Sequence, residues 1–225
     1  MAKAQKESDK PIIDVEEAFD KTERYIEDNK KSLIIIVSVV VGLVALFFAW
    51  KLLYLKPQQE EAQVAMYRAE INFANDSMQR AISGKGDTLG FEAIVDEYGI
   101  TKSGNLAHYY LGISYLRTGK YEEAIEELKE FDSDDMFLSA IATGAIGDAH
   151  MELGQKEEAI NYYLKAAQKN SNKLTSPFYL KKAGMAYEDL GRKEDARKVY
   201  EQIKTEYNDS YEAGQIDKFI ARTSD

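Results

Sequence analysis

The chain has 225 residues, a formal net charge of −10 at pH 7, no cysteine and two histidines. The missing cysteine removes disulfides, thiolate nucleophiles and Cys-ligated metals. The acidic balance argues against nucleic acid, because phosphate binding needs a basic face.

Residues 1–10, MAKAQKESDK, are polar and expected to be disordered. From Ile13 to Lys31 an apolar stripe runs through Val15, Ala18, Phe19, Thr22, Tyr25 and Ile26, the spacing of one helix face. Residues 1–32 therefore read as a tail with an amphipathic helix, which either lies on a membrane or docks a partner.

Leu33 to Trp50, LIIIVSVVVGLVALFFAW, contains no charge, and LLYL follows Lys51. As a helix, 33–55 rises about 35 Å, enough to cross a hydrocarbon core of roughly 30 Å with some tilt. Trp50, Lys51 and Tyr54 suit the interface at its end. The long preceding segment and the lack of a small-x-small cleavage pattern favour an uncleaved anchor. Lys3, Lys6, Lys10, Lys21, Arg24, Lys30 and Lys31 precede the span, whereas Lys51, Lys56 and Arg68 follow it closely. That asymmetry puts the N-terminus in the cytoplasm and the remainder across the membrane.

Residues 57–225 carry the whole net charge of −10. Within them Gly112, Gly119 and Ala124 recur as Gly147, Gly154 and Ala159, and again as Gly184, Gly191 and Ala196, at offsets of 35 and 37. Tyr115, His150 and Tyr187 share another column, as do Leu128, Tyr163 and Tyr200. This period is that of tetratricopeptide helix pairs. The first Gly lets two helices approach, the second ends helix A in a left-handed cap, and the Ala packs beside the first Gly. Residues 57–104 form a degenerate unit, with Ala69 and Ala81 at the Gly112–Ala124 distance, a loop at 83–88 and a short helix after it. Repeats occupy 105–207, and 208–225 forms a capping helix with Asp209 or Ser210 as its N-cap. The fold expected is all-α: one transmembrane helix, then a tetratricopeptide-repeat right-handed α-solenoid.

The phrases NKKSLIIIVSVVVG at the span, AMYRAEINFA after it, and ISGKGD with FEAIVDEYGITKSGNLAHYYLGISYL before the first full repeat resemble the YfgM-type ancillary Sec-translocon subunit family over roughly residues 14–222. That resemblance implies a bacterial inner-membrane protein with a periplasmic repeat domain beside the Sec channel. It also implies association with a membrane-anchored peptidyl-prolyl isomerase chaperone and with newly exported proteins.

Motifs for chemistry are weak. The Gly-Lys pairs at Lys85 and Lys120 lack the upstream Gly, the following Ser or Thr, and the strand of a phosphate loop. His108 and His150 fall in packing columns too far apart to share a zinc ion. Asp132, Asp134 and Asp135 lack the frame of a calcium loop and suit a helix N-terminus. Ser77 and Thr88 follow Asp as in some periplasmic O-glycosylation acceptors, yet turn roles explain both. No nucleophile, base and orienter come together, so no enzyme, cofactor, metal or small-molecule substrate is expected.

The remaining candidate is the concave face of the helix-A row. Its inward positions are Leu106, Tyr109, Ile113 and Leu116, then Ile141, Gly144, Asp148 and Met151, then Phe178, Lys181, Met185 and Glu188. Such a groove suits an extended or helical segment of another protein. A clamp for a C-terminal carboxylate is disfavoured by Tyr109, Ile113 and Ala145 at the columns concerned. Two scaffold functions stay open: one at the Sec channel, holding chaperones or exported clients, and one organising cell-wall or outer-membrane assembly.

Overall fold

The structure, a computed structural model, describes residues 15–169 and 171–223. The polar run 1–10 and the side chains of Val15 and Ala18, all invoked above, lie outside the described residues. The chain divides into two compact units, 1–54 and 55–225.

In the first unit, α1 (Val15–Asp28) presents Phe19, Tyr25 and Ile26 to the outside. Asn29 interrupts the helix and donates through Nδ2 to the Tyr25 carbonyl at 2.8 Å. Helix α2 (Lys30–Trp50) starts three residues before the uncharged run. Lys30 and Lys31 are good helix formers and extend it backward. None of its side chains is buried, and it is long and apolar enough to cross a membrane. A π-helical turn, Lys51–Leu55, follows.

The second unit is a stack of helices: α3 (Lys56–Ala74), α4 (Met78–Ser83), α5 (Phe91–Tyr98), α6 (Lys102–Thr118), α7 (Tyr121–Glu130), α8 (Met136–Glu152), α9 (Lys156–Lys169), α10 (Thr175–Asp189), α11 (Lys193–Glu206) and α12 (Ile216–Arg222). Among the described residues there is no strand, only an isolated bridge between Lys85 and Thr88 in the Gly84–Gly86 loop. Each helix packs on its neighbours in the chain, with α6/α7, α8/α9 and α10/α11 as the full pairs.

Local chemistry sets the ends. Thr101 Oγ1 accepts the Gly104 N–H at 2.9 Å and starts α6. Asp135 Oδ1 accepts from the Phe137 and Leu138 amides at 2.9 and 2.8 Å and starts α8. Gly119, Gly154 and Gly191 have φ of 80°, 74° and 73°, where any side chain would be strained. Past each of them the next amide turns back: Lys120 to the Tyr115 carbonyl, Gln155 to His150, Arg192 to Tyr187. Those carbonyls belong to the shared Tyr/His/Tyr column, so the column serves the cap as well as the core.

The other glycine column sets the crossing, through a neighbour other than the expected Ala. A methyl group on Gly112 would sit 2.6 Å from Leu128 Cγ, and one on Gly147 would sit 2.7 Å from the Tyr163 ring. At Gly184 it would overlap Tyr200. The partner Ala offers only its carbonyl, at 3.2 Å for both Ala124 and Ala159. The notch therefore holds the bulky residue four places after the Ala. Ala69 and Ala81 of the degenerate unit are fully buried in the first core cluster.

The C-terminal end departs from the expected helix. Lys173 takes the Asp209 carboxylate, and Ser210 Oγ accepts the Ala213 amide at 3.2 Å. A 3-10 turn (Ala213–Gln215) contains Gly214, a poor helix residue, so α12 begins only at Ile216. Ile216 is buried in the cluster that contains Tyr200 and Ile203, with Phe219 and Ile220 packed on it.

Gly184→Ala is expected to destabilise the chain by about 1–3 kcal/mol through overpacking against Tyr200, even though Ala is the better helix former. Urea unfolding checks this, with Gly214→Ala, whose Cα faces open space, as the matched control.

Candidate protein-binding groove

The C-terminal halves of α6, α8 and α10 enclose an open groove of about 520 Å³. Four of the expected residues meet there: Leu116, Asp148, Met151 and Met185. Arg117, Tyr121, Glu152, Tyr163, Lys182, Ala186 and Asp189 complete the lining.

The other expected residues lie elsewhere. Leu106 packs against the first core cluster, and Tyr109 and Ile113 against the second, with the Tyr109 ring 5.4 Å from Phe131. Ile141 and Phe178 are exposed nearer the starts of α8 and α10. Gly144 lies beneath the Tyr179 ring. Lys181 turns away and pairs with Glu212 of the C-terminal segment at 3.8 Å. Glu188 also faces that segment, accepting from Arg222 at 2.6 and 2.9 Å and from the Tyr200 hydroxyl at 2.5 Å.

The residue that enters the groove is Lys182, one place on from the one chosen in the sequence. Each A helix lies between two neighbours. The column of Tyr109, Gly144 and Lys181 faces the next unit, whereas the column of Tyr110, Ala145 and Lys182 faces the previous one. A step of four residues instead of three from Phe178 would have found it, since both spacings occupy one helix face.

Lys182 Nζ donates to both Asp148 oxygens, at 2.7 and 2.8 Å. The Tyr163 hydroxyl donates to the same carboxylate at 2.6 Å. The ammonium also lies 5.2 Å from the Phe178 ring centre and 5.5 Å from that of Tyr163. Arg117 sits over Phe73 at 4.9 Å and pairs with Asp76 at 3.7 Å. Lys156 pairs with Asp189 at 3.9 Å. The charges of the lining are thus largely matched within the chain. What the groove offers a visitor is carbon and sulfur: Leu116, Met151, Met185 and the flank of Tyr121. Methionine is flexible and polarizable and adapts to varied partners.

The histidines stay apart. His108 Nδ1 lies 2.7 Å from Glu127 Oε2, a polar pairing where packing alone was expected. His150 stacks on Tyr162 with ring centres 5.2 Å apart and contacts Gln155 Oε1 at 2.6 Å. Among the described residues no three His, Asp or Glu side chains are grouped so as to hold a metal. Lys120 lies over the Tyr115 ring at 5.0 Å, just after the left-handed Gly119.

Burial raises the pKa of the four core tyrosines Tyr115, Tyr163, Tyr179 and Tyr200, and a neighbouring carboxylate adds to it: Glu92, Asp148, Asp148 and Glu188 in turn. Their folded-state values lie above the ordinary 10.0, so their contribution to stability is complete below about pH 10 and is lost as pH rises beyond it. Melting curves are expected to fall from about pH 10 upward, and Tyr163→Phe to lessen that slope by about 1.4 kcal/mol per pH unit.

A family model described as "T7SS, ESX-1 secretion system protein EccA1, N-terminal domain" matches residues 45–215. Two solved structures are similar: a Podosopora anserina protein described as a kinesin light chain with nearly identical TPR-like repeats, and a variant of it. The variant matches with TM-score 0.54 at 17% identity over 73% of this chain and 85% of its own. The parent matches with TM-score 0.55 at 16% identity, over 73% and 86%. At that identity the likeness shows the fold alone, a TPR-like helical repeat. No curated protein matches the chain.

Proposed function

We propose, from the premise that this chain belongs to the family of the T7SS, ESX-1 secretion system protein EccA1 N-terminal domain, that it is a non-enzymatic scaffold holding segments of other proteins at a membrane export channel. The groove carries this reading. It spans three repeats, most of its charges are matched within the chain, and much of the surface it leaves open is apolar and adaptable. TPR-like repeats generally mediate contacts between proteins, and the matched family's description names a secretion-system protein.

The finer assignment is a bacterial inner-membrane protein at the Sec channel. Its tail is cytoplasmic, α2 spans the membrane, and the repeat domain is periplasmic. What supports it is the length and apolarity of α2, the lysine asymmetry around it, and the YfgM-type phrases quoted above. The partners are then the channel, a membrane-anchored peptidyl-prolyl isomerase chaperone and exported chains. The mechanism is tethering. Weak contacts to apolar segments become effective because the anchor keeps the groove at a high local concentration near the exit.

A photo-crosslinking side chain at Met185 in the full chain is expected to capture channel subunits, the chaperone or exported proteins in cells. The same group at Lys193, exposed on α11, should capture none of them. Met151→Glu in the chain that carries the Met185 crosslinker should weaken capture by about tenfold, roughly 1.4 kcal/mol. Equal capture from both sites would remove the groove from the reading. Isolation in mild detergent that returns wall-synthesis or outer-membrane machinery instead would replace the Sec assignment.

A further inference from the structure

The two ends of the repeat stack are finished differently. At the C-terminal end α12 covers α11, and Lys204, Asp217 and Arg222 face outward in ion pairs. At the N-terminal end α3 buries Ala62, Met66 and Ala69 against the core. Its other face carries Val64, Tyr67 and Ile71, which are 63%, 67% and 44% exposed. No helix of the second unit covers this face among the described residues. A terminal repeat normally turns a polar face outward.

The exposed residues step by 3 and 4, and Ala74 continues the series at the next step of 3. That alternation is the seam of two helices packed side by side. The flanks say what fits it. In a parallel pair, each flanking residue meets the one five places later on its partner. Here that rule joins Lys56 to Glu61, Gln63 to Arg68, and Glu70 to Asn75. The first pair is attractive, the other two are compatible, and a two-fold axis supplies each of them twice. Arg68 is exposed and lines a cavity beside α3 with Glu61, Asp87 and Tyr98. Glu60 holds the preceding seam position and pairs with Lys56 at 3.9 Å, which marks where the apolar contact begins.

We propose that the outer face of α3 is the contact between two copies of this chain, with the two α3 helices side by side and parallel. The parallel sense rests on the membrane reading above: both copies leave the membrane on the same side, and α3 follows the span directly in the chain. Two copies would then present two grooves to one export site.

The absence of cysteine makes the test direct, because a single introduced thiol can form a disulfide only with another molecule. Full-length chains carrying Val64→Cys, Tyr67→Cys or Ile71→Cys are oxidised mildly in native membranes. Each is expected to give a homodimer, since a parallel pair sets every seam residue against its own counterpart. Lys193→Cys should stay monomeric. Adding Tyr67→Glu to the Val64→Cys chain should abolish the dimer while the helical circular dichroism is unchanged. No homodimer from any seam position, as much dimer from Lys193→Cys, or no response to Tyr67→Glu overturns the contact. A dimer from Val64→Cys without one from Ile71→Cys overturns the parallel sense. Alkaline extraction reads the anchor separately: a chain that extracts as soluble yet still forms all three seam dimers keeps the self-contact and removes the membrane reading.

Discussion

Each of the three full helix pairs closes on the space left by one missing methyl group. Gly112, Gly147 and Gly184 open notches that are filled by Leu128, Tyr163 and Tyr200. The helices cross closely only because nothing stands at Cβ. Where the filler is a tyrosine, its hydroxyl continues past the notch and must find a partner, as buried phenols do. Tyr163 reaches Asp148 and Tyr200 reaches Glu188. Asp148 then draws Lys182 across from the next A helix. The polar floor of the groove follows from the way the helices pack.

That floor explains the character of the groove. A half-exposed ion pair contributes little stability on its own. Here its more important effect is to settle the charges of the lining inside the chain. A partner gains most from burying its own apolar surface against leucine and methionine. Contacts of that kind tolerate many sequences and are individually weak, which suits the transient holding proposed for this groove. In the proposed function, an anchor that raises local concentration complements such weakness.

Much of this was legible beforehand. The glycine columns, the left-handed caps and the buried Ala69 and Ala81 follow from spacing alone, because a repeat states each geometric requirement several times. The features that occur once were harder. Which of Lys181 and Lys182 faces the groove depends on a rotation of a fraction of a turn, and periodicity does not resolve it. Ser210 sits where an N-cap belongs, but Gly214 delays the helix, and the Asp209 carboxylate is drawn off by a lysine 36 residues away. The apolar outer stripe of α3 was also hidden. Its residues alternate with the core-facing ones, and without the fold a helix with two apolar faces reads as a poor repeat. Four of the expected groove residues do converge, because they lie at the C-terminal ends of their helices, where the neighbours leave room.

The junctions between units carry one more consequence. Between the first and second repeats the large residue is on the earlier unit: Tyr109 packs on the cluster that contains Ala142. Between the second and third the sizes are exchanged, and Gly144 receives Tyr179. The units share a plan but are not interchangeable modules. A second repeat following itself would set Gly144 against Ala142 and leave a void. The first repeat joined directly to the third would drive Tyr109 into Tyr179. The succession of the second and third repeats is therefore written into an alternation of large and small, and lengthening this solenoid by duplicating its second repeat would require a new pair of sizes at the joint.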